Sequence, residues 1–224
     1  MSLDFCESVN QLESATILYL PFKYFNVSIT DSSISLINTL YILKNSNVEV
    51  CTVIGFPSGE STTQVKVYEA IDAVENGATE IDMVINISAL KNKDYEYVKN
   101  EIEEIRDAID GKVLKVIIET CLLTKEEIIK MTEICNETFV NFIKTSTGFS
   151  EYGARVEDVK LINEHKNEIL EIKASGGIRD ISSAEDMINA GATRLGTSSG
   201  VKIMECDSNE CNCHNHKCNC KEEN

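Results

Sequence analysis

The chain has no tryptophan, only three histidines and a shortage of positive charge: 21 Lys and Arg stand against 37 Asp and Glu in 224 residues, a formal net charge of −16. That shortage argues against a nucleic-acid partner and against an anionic membrane surface. Any phosphate this acidic chain binds must be met by local backbone N–H groups rather than by a global field. Also missing is any run of about 18 or more apolar residues, which excludes a membrane-spanning helix. The opening residues, M-S-L-D-F-C-E, have neither a basic n-region nor an apolar h-region, so the expected location is the cytoplasm rather than a secreted one. What is present is an ordinary apolar content of 42 % on a length that suits one α/β domain with a full core.

The nine cysteines fall into two groups. Cys6, Cys51, Cys121 and Cys135 are scattered in apolar or helical contexts and read as small buried hydrophobes in a reduced protein. Cys206, Cys211, Cys213, Cys218 and Cys220 crowd the last twenty residues together with His214 and His216. The expected organisation is therefore a barrel-forming domain over 1–203 and a polar, disordered tail over 204–224. In that tail Cys211, Cys213, His214, His216, Cys218 and Cys220 are candidate ligands for a soft metal ion, without the paired C-x₂-C spacing of a zinc finger. No cofactor is expected for the domain.

Along the chain, Asp4 to Ser14 reads as the end of a helix. Seven runs then read as strands: Ala15 to Pro21, Val48 to Gly55, Glu80 to Ile85, Val113 to Glu119, Asn141 to Lys144, Ile169 to Lys173 and Thr193 to Gly196. Between them lie helical patterns over Ser61 to Asn76, over Tyr95 to Ile109 with Val98, Ile102, Ile105 and Ile109 on one stripe, and over Lys125 to Asn136 behind a Thr124–Glu127 capping box. Strand starts recur roughly every 24 to 33 residues, the spacing of βα units, and right-handed crossovers then require a parallel sheet. Chemistry-capable groups sit at the C-terminal ends of nearly all the strands: Asp82, Glu119, Lys144, Lys173 and Gly196 to Ser199. A barrel gathers such groups at one face, whereas a doubly wound sheet concentrates them at one switch point. The expected fold is a TIM-type (β/α)₈ barrel.

The stretch V-N-F-I-K-T-S-T-G, Val140 to Gly148, delivers Lys144 at a strand end, and I-K-A-S-G-G-I-R delivers Lys173 in the same way. A lone strand-end lysine suits a solvated surface. Two on neighbouring strands lie about 5 Å apart at the backbone, and each ammonium disfavours the other. A neutral amine attacks a carbonyl to form an imine, whose iminium is an electron sink for breaking a carbon–carbon bond. Asp82 is then a candidate acid/base. Period-2 alternation puts Glu80, Lys115, Glu119 and Glu171 on the face these groups share, a charged interior that is costly unless its charges pair. The glycine-rich turns Ser175 to Arg179 and Gly196 to Gly200 stand where barrels commonly hold a phosphate.

Six ordered motifs carry a family resemblance: T-V-I-G-F-P-S-G (Thr52–Gly59), G-A-T-E-I-D-M-V-I-N (Gly77–Asn86), L-K-V-I-I-E-T (Leu114–Thr120), F-I-K-T-S-T-G-F (Phe142–Phe149), K-A-S-G-G-I-R (Lys173–Arg179) and A-G-A-T-R-L-G-T-S-S-G (Ala190–Gly200). From Val48 to about Gly200 the chain resembles the deoxyribose-phosphate aldolases. The resemblance implies reversible cleavage of 2-deoxy-D-ribose 5-phosphate to D-glyceraldehyde 3-phosphate and acetaldehyde. Lys144 would be the Schiff-base lysine, Lys173 the neighbour that lowers its pKa, and Asp82 part of a proton relay through water. Gly176, Gly177, Arg179, Gly196, Ser198 and Ser199 would surround the phosphate, with Thr147 on the substrate. Against that pattern the first strand and the last helix lack counterparts, since Ala15 to Pro21 aligns with the family's second strand and Val201 to Asn224 is too polar for a closing helix. A truncated reading frame, a second copy filling the seam as a homodimer, and a decayed enzyme each account for this. The alternatives in function are a transaldolase-like Schiff-base enzyme and an inactive remnant with a metal-binding tail.

Overall fold

The computed structural model describes residues 15–18, 26–29, 43, 48–200 and 202–203. One sheet of eight strands runs through them in chain order: β1 (Ala15–Leu18), β2 (Asn26–Ile29), β3 (Glu49–Ile54), β4 (Glu80–Val84), β5 (Val113–Ile117), β6 (Phe142–Lys144), β7 (Glu171–Ser175) and β8 (Arg194–Gly196). Every pairing from β2 to β8 is parallel; only β1 with β2 is antiparallel. The sheet curls until Cα atoms of β1 come within 8 Å of β8, which is the barrel type expected.

The strand count differs from expectation. The run from Ala15 is a strand, but it does not pair with β3. Asn26–Ile29, which the sequence reading passed over, lies between them. Four residues of N-V-S-I are too short to display a period. The expected helix over 4–14 and the tail over 204–224 lie outside the described residues; of the closing segment, Lys202 and Ile203 are helical, with the Ile203 N–H bonded to Ser199 O at 2.9 Å.

The crossovers are helices whose ends are fixed by local chemistry. They are α1 (Thr63–Glu75), α2 (Ile87–Lys91), α3 (Tyr95–Ala108), α4 (Lys125–Glu137), α5 (Val156–His165) and α6 (Ile181–Asn189). Thr62, Asn86, Asp94, Thr124 and Asp180 accept backbone N–H groups at the N-caps, and Thr124 with Glu127 forms the expected capping box. The expected stripe on α3, Val98, Ile102 and Ile105, is buried against the sheet. Alternate strand residues Ile81, Met83, Leu114, Val116, Ile143, Ile172 and Ala174 belong to this outer apolar layer. The residues between them, Asp82, Lys115, Lys144 and Lys173, are buried on the other face. The helices thus shield the sheet while its concave side carries charge. Among the described residues no helix is long and apolar enough to cross a membrane.

Candidate active site

Strand register makes Asp82 the Cα partner of Lys115, and Lys144 that of Lys173. Their side chains converge. Asp82 Oδ2 accepts from Lys144 Nζ at 2.8 Å and from Lys173 Nζ at 2.6 Å. Its other oxygen, Oδ1, accepts from Lys115 Nζ at 2.8 Å and from the Cys51 thiol at 3.0 Å. A layer below, Glu80 Oε2 pairs with Lys115 at 2.6 Å and with Arg194 at 2.7 Å, and the Arg194 guanidinium stacks 4.4 Å from the Phe142 ring centroid. The network is continuous, which offsets the cost of desolvating its members.

The charges do not balance. Among the described residues, Lys115, Lys144, Lys173 and Arg194 face two carboxylates, Asp82 and Glu80. Burial pushes Asp82 toward its acid form, but Lys115, Lys144 and Lys173 together hold it well below the usual carboxylate range. Burial likewise opposes charge on Lys115, yet Asp82, Cys51 and Glu80 outweigh it and raise the ammonium's pKa. At Lys173 burial wins, helped by the cations of Lys144 and Lys115, and the amine is lowered to about 8. Lys144 and Lys173 share one oxygen of Asp82, which sets the two amines side by side. Access separates the two: 7 % of the Lys144 side chain reaches solvent, and none of Lys173 or Lys115 does. Lys173 can therefore exchange a proton close to neutral pH while Lys144 presents the amine that a carbonyl can meet.

Above this layer is the mouth. Thr147 is nearly buried and lines a cleft of about 290 Å³ with Pro57, Leu122, Phe149 and Ser150. Its hydroxyl donates to Glu119 Oε2, and its N–H lies 3.3 Å from both Glu119 oxygens. The loops after β7 and β8 meet across the rim. Gly176 and Gly177 take φ of +82° and +79°, and the Gly176 N–H bonds to Gly196 O at 3.3 Å. A Cβ on Gly153 would sit 2.2 Å from the Gly176 carbonyl, so only glycine permits that approach. Thr197 caps the turn below, donating to Ile178 O at 2.6 Å and accepting from Ser199 N at 2.9 Å. Ser198 and Arg179 are exposed beside it and Ser199 is half-buried.

Every expected residue of the domain therefore lies at this end of the sheet: Lys144 and Lys173 both touch Asp82, and Thr147 with the two glycine turns forms the rim. Two expectations change. Asp82 is not a free acid/base, since both its oxygens are committed to cations. Glu171, placed on the charged face by alternation, is exposed and accepts the Thr193 hydroxyl at 3.2 Å. Glu119 leaves the strand pattern, with φ +54° and ψ +67°, and bonds to Thr147 instead of the lysines. Sequence reasoning put Lys115 and Glu80 on the right face without making them part of the site, and it missed Arg194 and Cys51; the strand register supplies what was lacking. Among the described residues no cluster of His, Cys, Asp and Glu could hold a metal ion, and the candidate Cys and His ligands lie outside them.

A curled parallel sheet that buries paired amines on its concave face, at the C-terminal strand ends, defines a barrel enzyme built for amine–carbonyl chemistry. Residues 39–205 match the profile of DeoC/LacD family aldolases. The chain is 58 % identical over 158 residues to the deoxyribose-phosphate aldolase of Clostridioides difficile (strain 630), covering 70 % of this chain and 72 % of that one. With the Clostridium tetani (strain Massachusetts / E88) enzyme of the same name the figures are 51 % over 185 residues, 82 % and 85 %. Among solved structures, the aldolase QR15 matches with a TM-score of 0.73 at 45 % identity over 80 % of this chain and 79 % of its own. The tetrameric deoxyribose phosphate aldolase of Aeropyrum pernix matches with a TM-score of 0.73 at 31 % identity over 80 % and 76 %. The chain belongs to the DeoC/LacD aldolase family.

Proposed function

We propose that this chain is a cytoplasmic class I aldolase that cleaves 2-deoxy-D-ribose 5-phosphate to D-glyceraldehyde 3-phosphate and acetaldehyde. One observation carries the reading: two strand-end amines meet on one oxygen of Asp82, at 2.8 and 2.6 Å, and only Lys144 opens to solvent. Lys144 adds to the C1 aldehyde of the open-chain sugar, and loss of water leaves an iminium. The C2–C3 bond then breaks: its electrons flow into the iminium to give an enamine, the C3 hydroxyl gives up its proton, and glyceraldehyde 3-phosphate departs. Protonation of the enamine carbon and hydrolysis release acetaldehyde and restore the amine. Lys173, lowered to about 8, exchanges protons near neutral pH, by way of water, while Asp82 holds the amines in place. Gly176, Gly177, Gly196, Ser198 and Ser199 are the proposed phosphate cradle, and the exposed Arg179 adds a cation beside it.

Incubation of the pure chain with 2-deoxyribose 5-phosphate tests this. Release of both aldehydes supports it. Turnover of longer ketose phosphates alone would favour a transaldolase-like enzyme, and absence of product with either would favour an inactive remnant. Self-association belongs to the reading because the Aeropyrum pernix relative is tetrameric. Light scattering on the pure chain decides it, and a monomer mass would remove it.

A further inference from the structure

Glu119 is a buried carboxylate that the proposed chemistry does not use. It stands at the end of β5 in the left-handed region, φ +54°, where a non-glycine residue is strained by about 1 kcal/mol or more. Its partners all donate to it: the Thr147 hydroxyl, the Thr147 N–H at 3.3 Å, and the Cys121 thiol at 3.7 Å. None of these contacts involves the lysine layer.

The consequence falls on Thr147. A threonine hydroxyl has one proton and two lone pairs. The proton is committed to Glu119, and one lone pair accepts the Phe149 N–H at 3.1 Å. One lone pair is left, on a residue that lines the cleft with Phe149 and Leu122. An unconstrained hydroxyl could rotate to suit either a donor or an acceptor; this one can only accept. We infer that Glu119 is a positioning residue that fixes Thr147 as a hydrogen-bond acceptor, so that the site selects an acceptor aldehyde carrying a free hydroxyl. The inference rests on the aldolase reading and adds a basis for its substrate preference. A carbonyl or ether oxygen at that point would face a lone pair, whereas a hydroxyl would donate to it.

The test runs the reaction in the condensing direction, with acetaldehyde as donor and two phosphorylated acceptors. One is glyceraldehyde 3-phosphate; the other is 3-phosphooxypropanal, the same skeleton without the hydroxyl. Both keep the phosphate, so the glycine cradle is used equally. The expected ratio of kcat/KM in favour of the hydroxylated acceptor is about tenfold, the worth of one net hydrogen bond. Glu119→Leu and Thr147→Val each lower the ratio to about twofold, Thr147→Ser keeps it, and the double variant Glu119→Leu/Thr147→Val shows no further fall because both changes remove one interaction. A ratio unchanged in Glu119→Leu, with both acceptors slowed alike, would overturn the inference by reducing Glu119 to a structural support. Should Glu119→Leu not fold, the Thr147 pair decides: a ratio preserved in Thr147→Val overturns it. In the same samples, borohydride trapping of acetaldehyde on Lys144 needs no hydroxyl. Its failure in the unaltered chain would overturn the imine reading itself, and the inference with it.

Discussion

Among the described residues lysine is buried in two places, and the two are built differently. On the outer side of the sheet, Lys66 of α1 pairs with Glu101 of α3 at 2.9 Å and donates to Val84 O at 2.9 Å. The second oxygen of Glu101 takes the Asn86 N–H at 3.1 Å. One cation meets one anion there, and neither side chain reaches solvent. Burial shifts both toward their neutral forms, lowering Lys66 and raising Glu101 against the attraction between them. On the inner side three lysines share Asp82. The first site fastens two helices to a strand end. Among the described residues the second sets four cations against two carboxylates, and that surplus makes an amine reactive.

The largest expected difference between the two sites is in turnover. Lys144→Ala should reduce retro-aldol activity below about one ten-thousandth of the unaltered chain, the order found when a covalent nucleophile is removed. Lys173→Leu keeps the nucleophile and should slow turnover by about 10–100-fold while moving the acid limb of the pH profile upward, because one cation next to the Lys144 amine has gone. Equal residual activity in the two would erase the distinction. In the unaltered chain imine formation should rise as the pH climbs through about 8, where Lys173 gives up its proton and can serve as a base beside Lys144.

Stability ranks next. Asp82→Asn leaves four cations facing Glu80 alone and should cost about 3–5 kcal/mol in urea unfolding. The sign with pH follows from the depressed Asp82 pKa. Its contribution is complete above the unfolded-chain value of about 3.9 and disappears as pH falls through the native value, so the variant should lose less stability on acidification than the parent. Lys66→Met strands Glu101 and should cost about 3 kcal/mol. Lys66→Met/Glu101→Leu should recover to within about 2 kcal/mol of the parent, with turnover unaltered. A substantial loss of activity in that double variant would mean that the outer pair also shapes the site. The smallest effect belongs to Arg179→Ala. Its exposed guanidinium should contribute about 0.5–1 kcal/mol to phosphate binding, seen as a severalfold rise in KM at unchanged kcat.

Much of this was legible in the sequence. The α3 helix, expected over Tyr95 to Ile109, runs Tyr95–Ala108, and its apolar stripe packs as the 3.6-residue period required. Lys144, Lys173 and Asp82 could be read because each is a charged residue set in a short apolar strand run, and period-2 alternation in a parallel sheet lets such residues share one face. Two features resisted. Strand β2 is four residues long and β1 reverses against it, so neither length nor direction followed from the pattern. Glu119 obeys period 2 only until its backbone turns left-handed, and a glutamate carries no local signal for that conformation. The sequence also could not show that three lysines, Lys115 besides Lys144 and Lys173, occupy the oxygens of Asp82; the register between strands brings them there.

The measurement that bears most directly on the inner site is mass-spectrometric mapping of the borohydride-reduced acetaldehyde adduct between about pH 6 and pH 10, a range spanning the shifted and ordinary lysine values. The adduct should sit on Lys144, and its yield should climb through about pH 8, where Lys173 loses its proton. An adduct on Lys173 or Lys115, or a yield that does not change across that range, would contradict the account.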